Sequence, residues 1–450
     1  MSDLHLLTAS EAARLIREGR ITSKELVTSC LAQIDAREPT VQAWHYLDRA
    51  QALAQAEAAD AAHKAGKPHG ALHGVPVGVK DVFDTRDMPT ENGCALHAGR
   101  TPRHDAAAVA LLREAGAVIL GKTVTAELAY YTPGKTRNPH DPARTPGGSS
   151  SGSAAAVAAG MVPLALGTQT NGSTIRPAAF CGVYGYKPTH GLISRRHCLR
   201  LSRTLDHVGI FARTLEDIAI AGEALMRFDD APAAGEDEDM RPAAPAPLAR
   251  VLAEEPPVEP KLAFVKSPVW DQAEEVTKEA FAELVEALGS KAEPVELPEF
   301  FAEAWPAHKA IMEADIAHNL RREFERGRER LSPAMQQAIE RGRAVTAKDY
   351  LAAQALARDL AAEIDDITFA YDAILTPAAA GPAPVGTATG NAAFCTLWTL
   401  TGVPAVSLPL LADEKGMPMG VQLVARRGDD ARLLRTARWL AGLLTGGAAL

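Results

Sequence analysis

The sequence predicts an α/β fold. Three observations carry that expectation. From about residue 70, short apolar runs alternate with helix-patterned segments. Two of those segments close on a glycine, Gly116 and Gly160, each followed at once by another apolar run. The same rhythm returns after residue 365, with apolar runs at 373–375, 405–408 and 421–425.

Taken in order, the first forty residues are expected to be helical. Thr8 with Glu11, and Thr22 with Glu25, both fit a capping box, in which hydroxyl and carboxylate satisfy free amides at a helix start. Leu26, Cys30, Leu31 and Ile34 then recur at helical spacing. The Ala-rich stretch 49–65 reads as a further helix, ending before Gly66. Residues 75–79 form a strand, 105–115 a helix, 117–120 a strand, 151–159 an Ala-rich helix and 162–166 a strand. Residues 229–259 are rich in Pro, Ala, Asp and Glu, which predicts a surface loop or connector over 226–260. Segments 274–290 and 300–365 read as helical, the second charged and amphipathic. A helix over 429–444 closes the chain. The simplest architecture is one domain over 1–450, with its core in 65–225 and 365–445 and a mostly helical excursion over 261–365.

A chain of 450 residues buries a large core, and its net charge of −9 with both signs interspersed argues against nucleic acid as a partner. Residues 1–19 carry charges and no long apolar core, so no secretion signal is expected. The longest apolar stretch, 154–167, is too short to span a bilayer and contains Pro163. Five widely spaced cysteines without a CxxC pattern predict neither a metal site nor a disulfide framework. Reduced thiols in a cytoplasmic protein are the expectation.

The chemistry-bearing residues crowd into one window. Lys80 ends a predicted strand and is followed by Asp81. Burial would lower its pKa and make it a neutral base; pairing with Asp81 at the surface is the bland alternative. The run Gly147-Gly148-Ser149-Ser150-Ser151-Gly152-Ser153 has four readings. A flexible linker is weakened by the helix and strand that follow directly. A phosphate loop lacks the lysine that GxxxxGK[ST] requires. A nucleophile elbow on Ser150 matches GxSxG but needs a histidine. None lies after His318, which leaves His190, His197, His207 and His308. Further on, Thr170-Asn171-Gly172-Ser173 is a small-residue turn whose backbone N–H groups could converge on an oxyanion, with an ordinary strand-to-helix turn as the alternative.

These motifs together give the fourth reading, because they resemble the amidase signature family. The resemblance rests on Gly78-Val79-Lys80-Asp81, on Pro146 through Ala156, on Gly167 through Ala178, and on the spacing between Ser149 and Ser173. It extends through Lys187-Pro188-Thr189-His190-Gly191 and Thr204 to Gly209, and returns at Tyr371 to Pro377, Gly402 to Ala405 and Gly420 to Val424. It implies a single amidase domain built on a large mixed central β-sheet covered by helices on both faces. It implies a Ser–cisSer–Lys triad, with Ser173 as nucleophile, Ser149 after a cis peptide bond as relay, and Lys80 as base. Thr170, Asn171, Gly172 and Ser173 would supply the oxyanion amides, with Ser150, Ser151 and Asp206 in support. The activity implied is hydrolysis of a small amide, or a related urea, carbamate or anilide, without metal or organic cofactor. An amidotransferase A-type subunit within an assembly is the alternative. A homodimer is the oligomer the family suggests; no nucleic-acid or membrane partner is implied.

The chain departs from the common pattern Asp-Thr-Gly-Gly-Ser-Ile-Arg. Here Gln169 replaces the aspartate, Asn171 the first glycine, and Arg176 stands three residues after the serine rather than two. That placement is similar to a malonamidase-like branch, in which the arginine faces a substrate carboxylate. Arg176 would then bind a carboxylate with its bidentate fork, or else form a structural salt bridge. By position in the family, Tyr130, Tyr131 and residues 88–93 are pocket candidates, with ordinary packing as the alternative. Trp398 is assigned to the core.

Overall fold

The computed structural model describes residues 3–67, 70–226 and 247–446. Its centre is an 11-stranded mixed sheet. The strands are β1 (Trp44–Leu47), β2 (Pro76–Lys80), β3 (Val118–Thr123), β4 (Leu164–Gln169), β5 (Tyr184–Lys187), β6 (His207–Ala212), β7 (Leu262–Val265), β8 (Ala292–Val295), β9 (Ala373–Pro377), β10 (Ala405–Ala412) and β11 (Pro418–Val424). Their order across the sheet is β1-β3-β2-β4-β6-β5-β10-β11-β9-β7-β8. β2 runs parallel to both β3 and β4, and β7 parallel to both β8 and β9. The remaining pairs are antiparallel.

Side chains alternate between faces along a strand, and both faces here are apolar. Ile119, Leu164, Leu166 and Ile210 enter one core, whereas Val118, Leu120, Ala165 and Phe211 enter another. Helices therefore cover the sheet on both sides, and the α/β expectation is met.

Both capping boxes are present, at Thr8 and at Thr22, opening helices Ala9–Arg17 and Ser23–Val41. The helices expected from 49, 105, 151, 274 and 429 appear as Arg49–Lys64, Ala107–Glu114, Ser151–Ala158, Glu275–Leu288 and Asp430–Thr445. The segment 300–365 is broken into Ala304–Asn319, Arg321–Gly327, Pro333–Ala344 and Ala347–Ala370. Ser332 and Thr346 start the last two by accepting from the backbone amides of Met335 and Asp349. Of the loop expected over 226–260, residues 227–246 lie outside the described residues; the rest includes a helix, Leu248–Ala253. No helix among the described residues is long and apolar enough to cross a membrane.

Two parallel neighbours set up the site. In the β2–β4 register Val79 stands opposite Leu166, so both strands end on the same side of the molecule. β2 ends on Lys80, and β4 runs on into the turn that carries Ser173. The helix Ser151–Ala158, made only of Ser, Gly, Ala and Val, packs on this part of the sheet with nearly every residue buried. Its close approach requires a glycine opposite it. A Cβ on Gly167 would lie 2.7 Å from Ser150 Oγ and 2.6 Å from Phe211.

Candidate active site

Lys80 is fully buried, with relative exposure of 0%. Its ammonium group lies 2.8 Å from Ser149 Oγ, 3.0 Å from Ser150 Oγ and 2.7 Å from Thr168 Oγ1. All three partners are neutral hydroxyls. The adjacent Asp81 does not pair with it: its carboxylate is 3.2 Å from Lys122 Nζ and accepts from the Glu91 amide. Burial, opposed in part by Cys198 and Asp206, pulls Lys80 down from the ordinary lysine range to about 7. The surface-pair alternative is thereby set aside, and a lysine that exchanges its proton near neutrality takes its place.

The serines divide by role. The peptide between Gly148 and Ser149 is cis. Ser150 Oγ donates to Thr168 O at 3.1 Å and accepts from the Thr168 amide at 3.2 Å, which fixes it beside the lysine. Ser151 Oγ is 3.4 Å from Val124 O, and Ser153 Oγ donates to Leu166 O at 2.7 Å, pinning the helix to the residue that follows β3 and to β4. None of the four histidines kept for an elbow on Ser150 bonds to it. His190 and His207 contact the carbonyls of Arg203 and Leu205, His308 contacts that of Thr170, and His197 stacks beside His104.

Ser173 retains 8% of its surface, and among the described residues no protein group hydrogen-bonds its hydroxyl. The turn before it is fastened from several directions. Gln169 Oε1 accepts from the amides of Thr174 and Ile175 at 2.8 and 3.0 Å, so the residue that replaces the usual aspartate caps the helix Ile175–Cys181. Thr170 Oγ1 donates to Asp206 at 2.6 Å; Asp206 also pairs with Arg195 and accepts from the amides of Leu201 and Ser202. Asn171 donates to Tyr131 OH at 3.2 Å and accepts from Thr396 at 2.8 Å.

The serine-rich turn meets the helix Ile175–Cys181 directly. Gly147 adopts φ +83° and lies so close to Pro177 that an added Cβ would stand 2.8 Å from Pro177 Cα. Arg176 Nη2 donates to Gly148 O at 2.7 Å. The remaining two guanidinium nitrogens of Arg176, a residue only 2% exposed, have no hydrogen-bond partner. Among the described residues Arg176 forms no salt bridge, so the structural ion pair foreseen as one alternative is absent.

Beside the turn is a cavity of about 430 Å³ whose wall includes Tyr130, Tyr131, Asn171, His308, Met312 and Arg341. Tyr130 and Tyr131 meet edge to face at 4.5 Å and belong to it. Residues 88–93 do not: Met88 is in the core, and Thr90 accepts from Lys122 at 2.6 Å. Trp398 is core, as expected. Sequence reasoning missed Thr168, the third partner of Lys80, although its place on β4 beside the base is readable from strand order. It also missed the work of His308, Thr396 and Thr399, because contacts spanning 138 to 228 residues leave no local signal. No group of His, Cys, Asp or Glu among the described residues is arranged to hold a metal ion.

The fold and this site define an amidohydrolase of the serine-nucleophile class. The chain belongs to the amidase family, the amidase-signature hydrolases, whose family model matches residues 25–434. Curated relatives include the A-type subunit of the glutamyl-tRNA(Gln) amidotransferase from Chloroflexus aurantiacus, 34% identical over 97% of this chain and 96% of the relative. The corresponding protein of Rhodopirellula baltica is 35% identical over 96% and 95%. Among solved structures, native peptide amidase from Stenotrophomonas maltophilia superposes with a TM-score of 0.82, at 27% identity over 97% and 96% of the two chains. A 6-aminohexanoate cyclic dimer hydrolase gives 0.84, at 27% identity over 99% and 98%. A chain from a vestigial protein complex linked to the origins of an s-triazine catabolic enzyme gives 0.89, at 29% identity over 99% and 100%.

Proposed function

We propose that this chain, as a single amidase domain, hydrolyses a small-molecule C–N bond, in an amide or a related urea, carbamate or anilide, through an acyl-enzyme on Ser173. The observation that carries the proposal is the buried Lys80 ammonium at 2.8 Å from Ser149 Oγ with no carboxylate bonded to it. In its neutral form Lys80 accepts the Ser149 proton while Ser149 accepts that of Ser173. Ser173 Oγ attacks the carbonyl carbon, and the oxyanion is met by backbone N–H groups of 170–173. Collapse breaks the C–N bond, and the leaving nitrogen takes the proton back through Ser149. Water then repeats the sequence on the ester, releasing the acid and restoring Ser173. The Ser149–Ser173 contact closes when substrate is bound, since catalytic hydrogen bonds tighten in the reacting complex.

Arg176 supports a substrate whose acyl portion carries a carboxylate. A buried guanidinium with no counter-ion, whose Nε and Nη1 bond to nothing and whose Nη2 keeps a second hydrogen beside the one given to Gly148 O, is matched by a planar anion that takes one bond from Nη2 and one from an unpartnered nitrogen. A homodimer is the proposed oligomer. Five unpaired cysteines support the cytoplasm as its compartment.

Treatment with a small fluorophosphonate, followed by intact mass and peptide mapping, tests the mechanism. An adduct on Ser173 that is lost in Lys80→Ala is the expected result; an adduct on Ser150 overturns it. The curated relatives favour a second reading, an amidotransferase-type subunit that releases ammonia within an assembly. Amide turnover by the isolated chain favours the first; turnover that appears only with co-purifying subunits favours the second.

A further inference from the structure

We infer that His308 and Thr399 are positioning residues that aim the backbone N–H groups of the nucleophile turn. The inference rests on the reading of Ser173 as nucleophile and 170–173 as the oxyanion site. In a trans peptide unit the C=O and N–H point in opposite directions, and neither peptide concerned is cis. The carbonyl of Thr170 shares its peptide with the N–H of Asn171, and the carbonyl of Asn171 shares its own with the N–H of Gly172. Holding those two carbonyls on one side therefore turns two consecutive N–H groups to the other.

Both carbonyls are held. His308 Nε2 lies 2.9 Å from Thr170 O, and Thr399 Oγ1 donates to Asn171 O at 2.5 Å. A carbonyl only accepts, so His308 carries its proton on Nε2. Burial drops its pKa to about 4, and it stays a neutral donor at working pH. The Thr399 hydroxyl is oriented in turn by Gln169 Nε2, which donates to it at 2.9 Å. The complementary observation lies on the opposite side of the turn. Among the described residues no protein group accepts from the backbone N–H of Asn171, Gly172 or Ser173. Buried backbone donors are almost always paired, so the free N–H groups of the buried Gly172 and Ser173, with that of the half-buried Asn171 before them, are donors kept for a ligand.

The two pins come from separate parts of the chain. His308 belongs to the helix Ala304–Asn319 and Thr399 to the helix Ala393–Leu400, and these two helices pack on each other. Neither side chain donates to the oxyanion itself. Their effect is transmitted through the peptide planes.

The test measures the rate of inactivation by a small alkyl fluorophosphonate, whose P=O oxygen enters the oxyanion site. It also measures kcat and KM on a small amide, for His308→Leu, His308→Gln, Thr399→Val and Thr399→Ser. Losing one oxyanion donor lowers rates by roughly 10²–10³, so misaiming one is expected to lower labelling and kcat about tenfold to hundredfold. KM should not change. Gln and Ser, which keep a donor, should restore most of the rate. The pH inflection near that of Lys80 should persist in every variant, which separates positioning from acid–base work by His308. Should His308→Leu not fold, Thr399→Val, which exchanges only a hydroxyl for a methyl, carries the test. Wild-type labelling and kcat in the donor-free variants, with Ser173→Ala inert, overturns the positioning roles alone. Labelling that persists in Ser173→Ala overturns the nucleophile assignment and this inference with it.

Discussion

Lys80 Nζ lies 2.8 Å from Ser149 Oγ, at the end of a buried strand, and every group it contacts through hydrogen bonds is a neutral hydroxyl. A buried cation without a counter-ion is unstable as a cation and is relieved by giving up a proton. In the proposed mechanism this relationship governs both the chemistry and the pH dependence.

Removing the base should be severe. General-base catalysis contributes roughly 10²–10⁴ in rate, so Lys80→Met should lose at least about a hundredfold in kcat. Ser149→Ala, which breaks the relay, should fall in the same range. Steady-state kinetics on a reference amide checks both. A Lys80→Met enzyme within a factor of three of wild type contradicts the assignment.

The pH dependence of kcat/KM should follow the free lysine. The neutral amine is the active form and its pKa is held at about 7, so the rate should rise from pH 6 to 8 and then level off. A rate that falls over this range would contradict a lysine base.

Stability should carry the same signature with a definite sign. Lys80 titrates near 7 when folded and near the ordinary lysine value when unfolded. Between these values the unfolded chain binds more protons, so the penalty of burying Lys80 is complete below about pH 7 and shrinks as pH rises. Lys80→Met removes that penalty. Its melting temperature should exceed that of wild type most at pH 6, and the gap should narrow towards pH 9. A gap that is constant across this range contradicts the depressed pKa.

Arg176→Gln should discriminate between substrates. With a carboxylate-bearing amide, loss of a buried charged partner should raise KM by about tenfold or more; with a neutral amide of the same size, KM should be little affected. Equal losses on both would assign Arg176 to bracing the Gly148 carbonyl.

Far from the site, Asp217 joins two helices. Its carboxylate accepts from the amides of Ala9 and Ser10, both at 2.8 Å, at the start of the helix Ala9–Arg17. Asp217→Ala leaves two amides without acceptors and should reduce stability by about 1–3 kcal/mol while kcat is unchanged. Urea unfolding monitored by circular dichroism provides the measurement.

The sequence showed most where local chemistry decides structure. Thr8 and Thr22 start helices because a hydroxyl and a carboxylate three residues apart satisfy the same free amides, and both boxes form. The four-residue strands β1, β5, β7 and β8 were not foreseen, because each is too short to display a period. β6, six residues long and buried throughout, has no polar face to alternate with. Within the site, Lys80, Ser149 and Ser173 were legible from motif and spacing. The donors behind the turn were not. His308 reaches Thr170 across 138 residues and Thr399 reaches Asn171 across 228, distances over which only the folded chain decides proximity.

The cavity beside the nucleophile turn has an uneven ancestry. The turn itself contributes Asn171, whereas the stretch from Trp305 to Arg341 supplies most of the rest of its wall. That stretch lies wholly between β8 and β9, outside the strands that hold Lys80 and Ser173 in register. Most of this wall and the lysine and serines of the site are thus carried by different parts of the chain. A lineage could exchange the residues along one face of these helices and acquire a new diet while its reactive lysine and serines stayed untouched. His308, which lines that wall and also reaches Thr170 O, would be less free to drift.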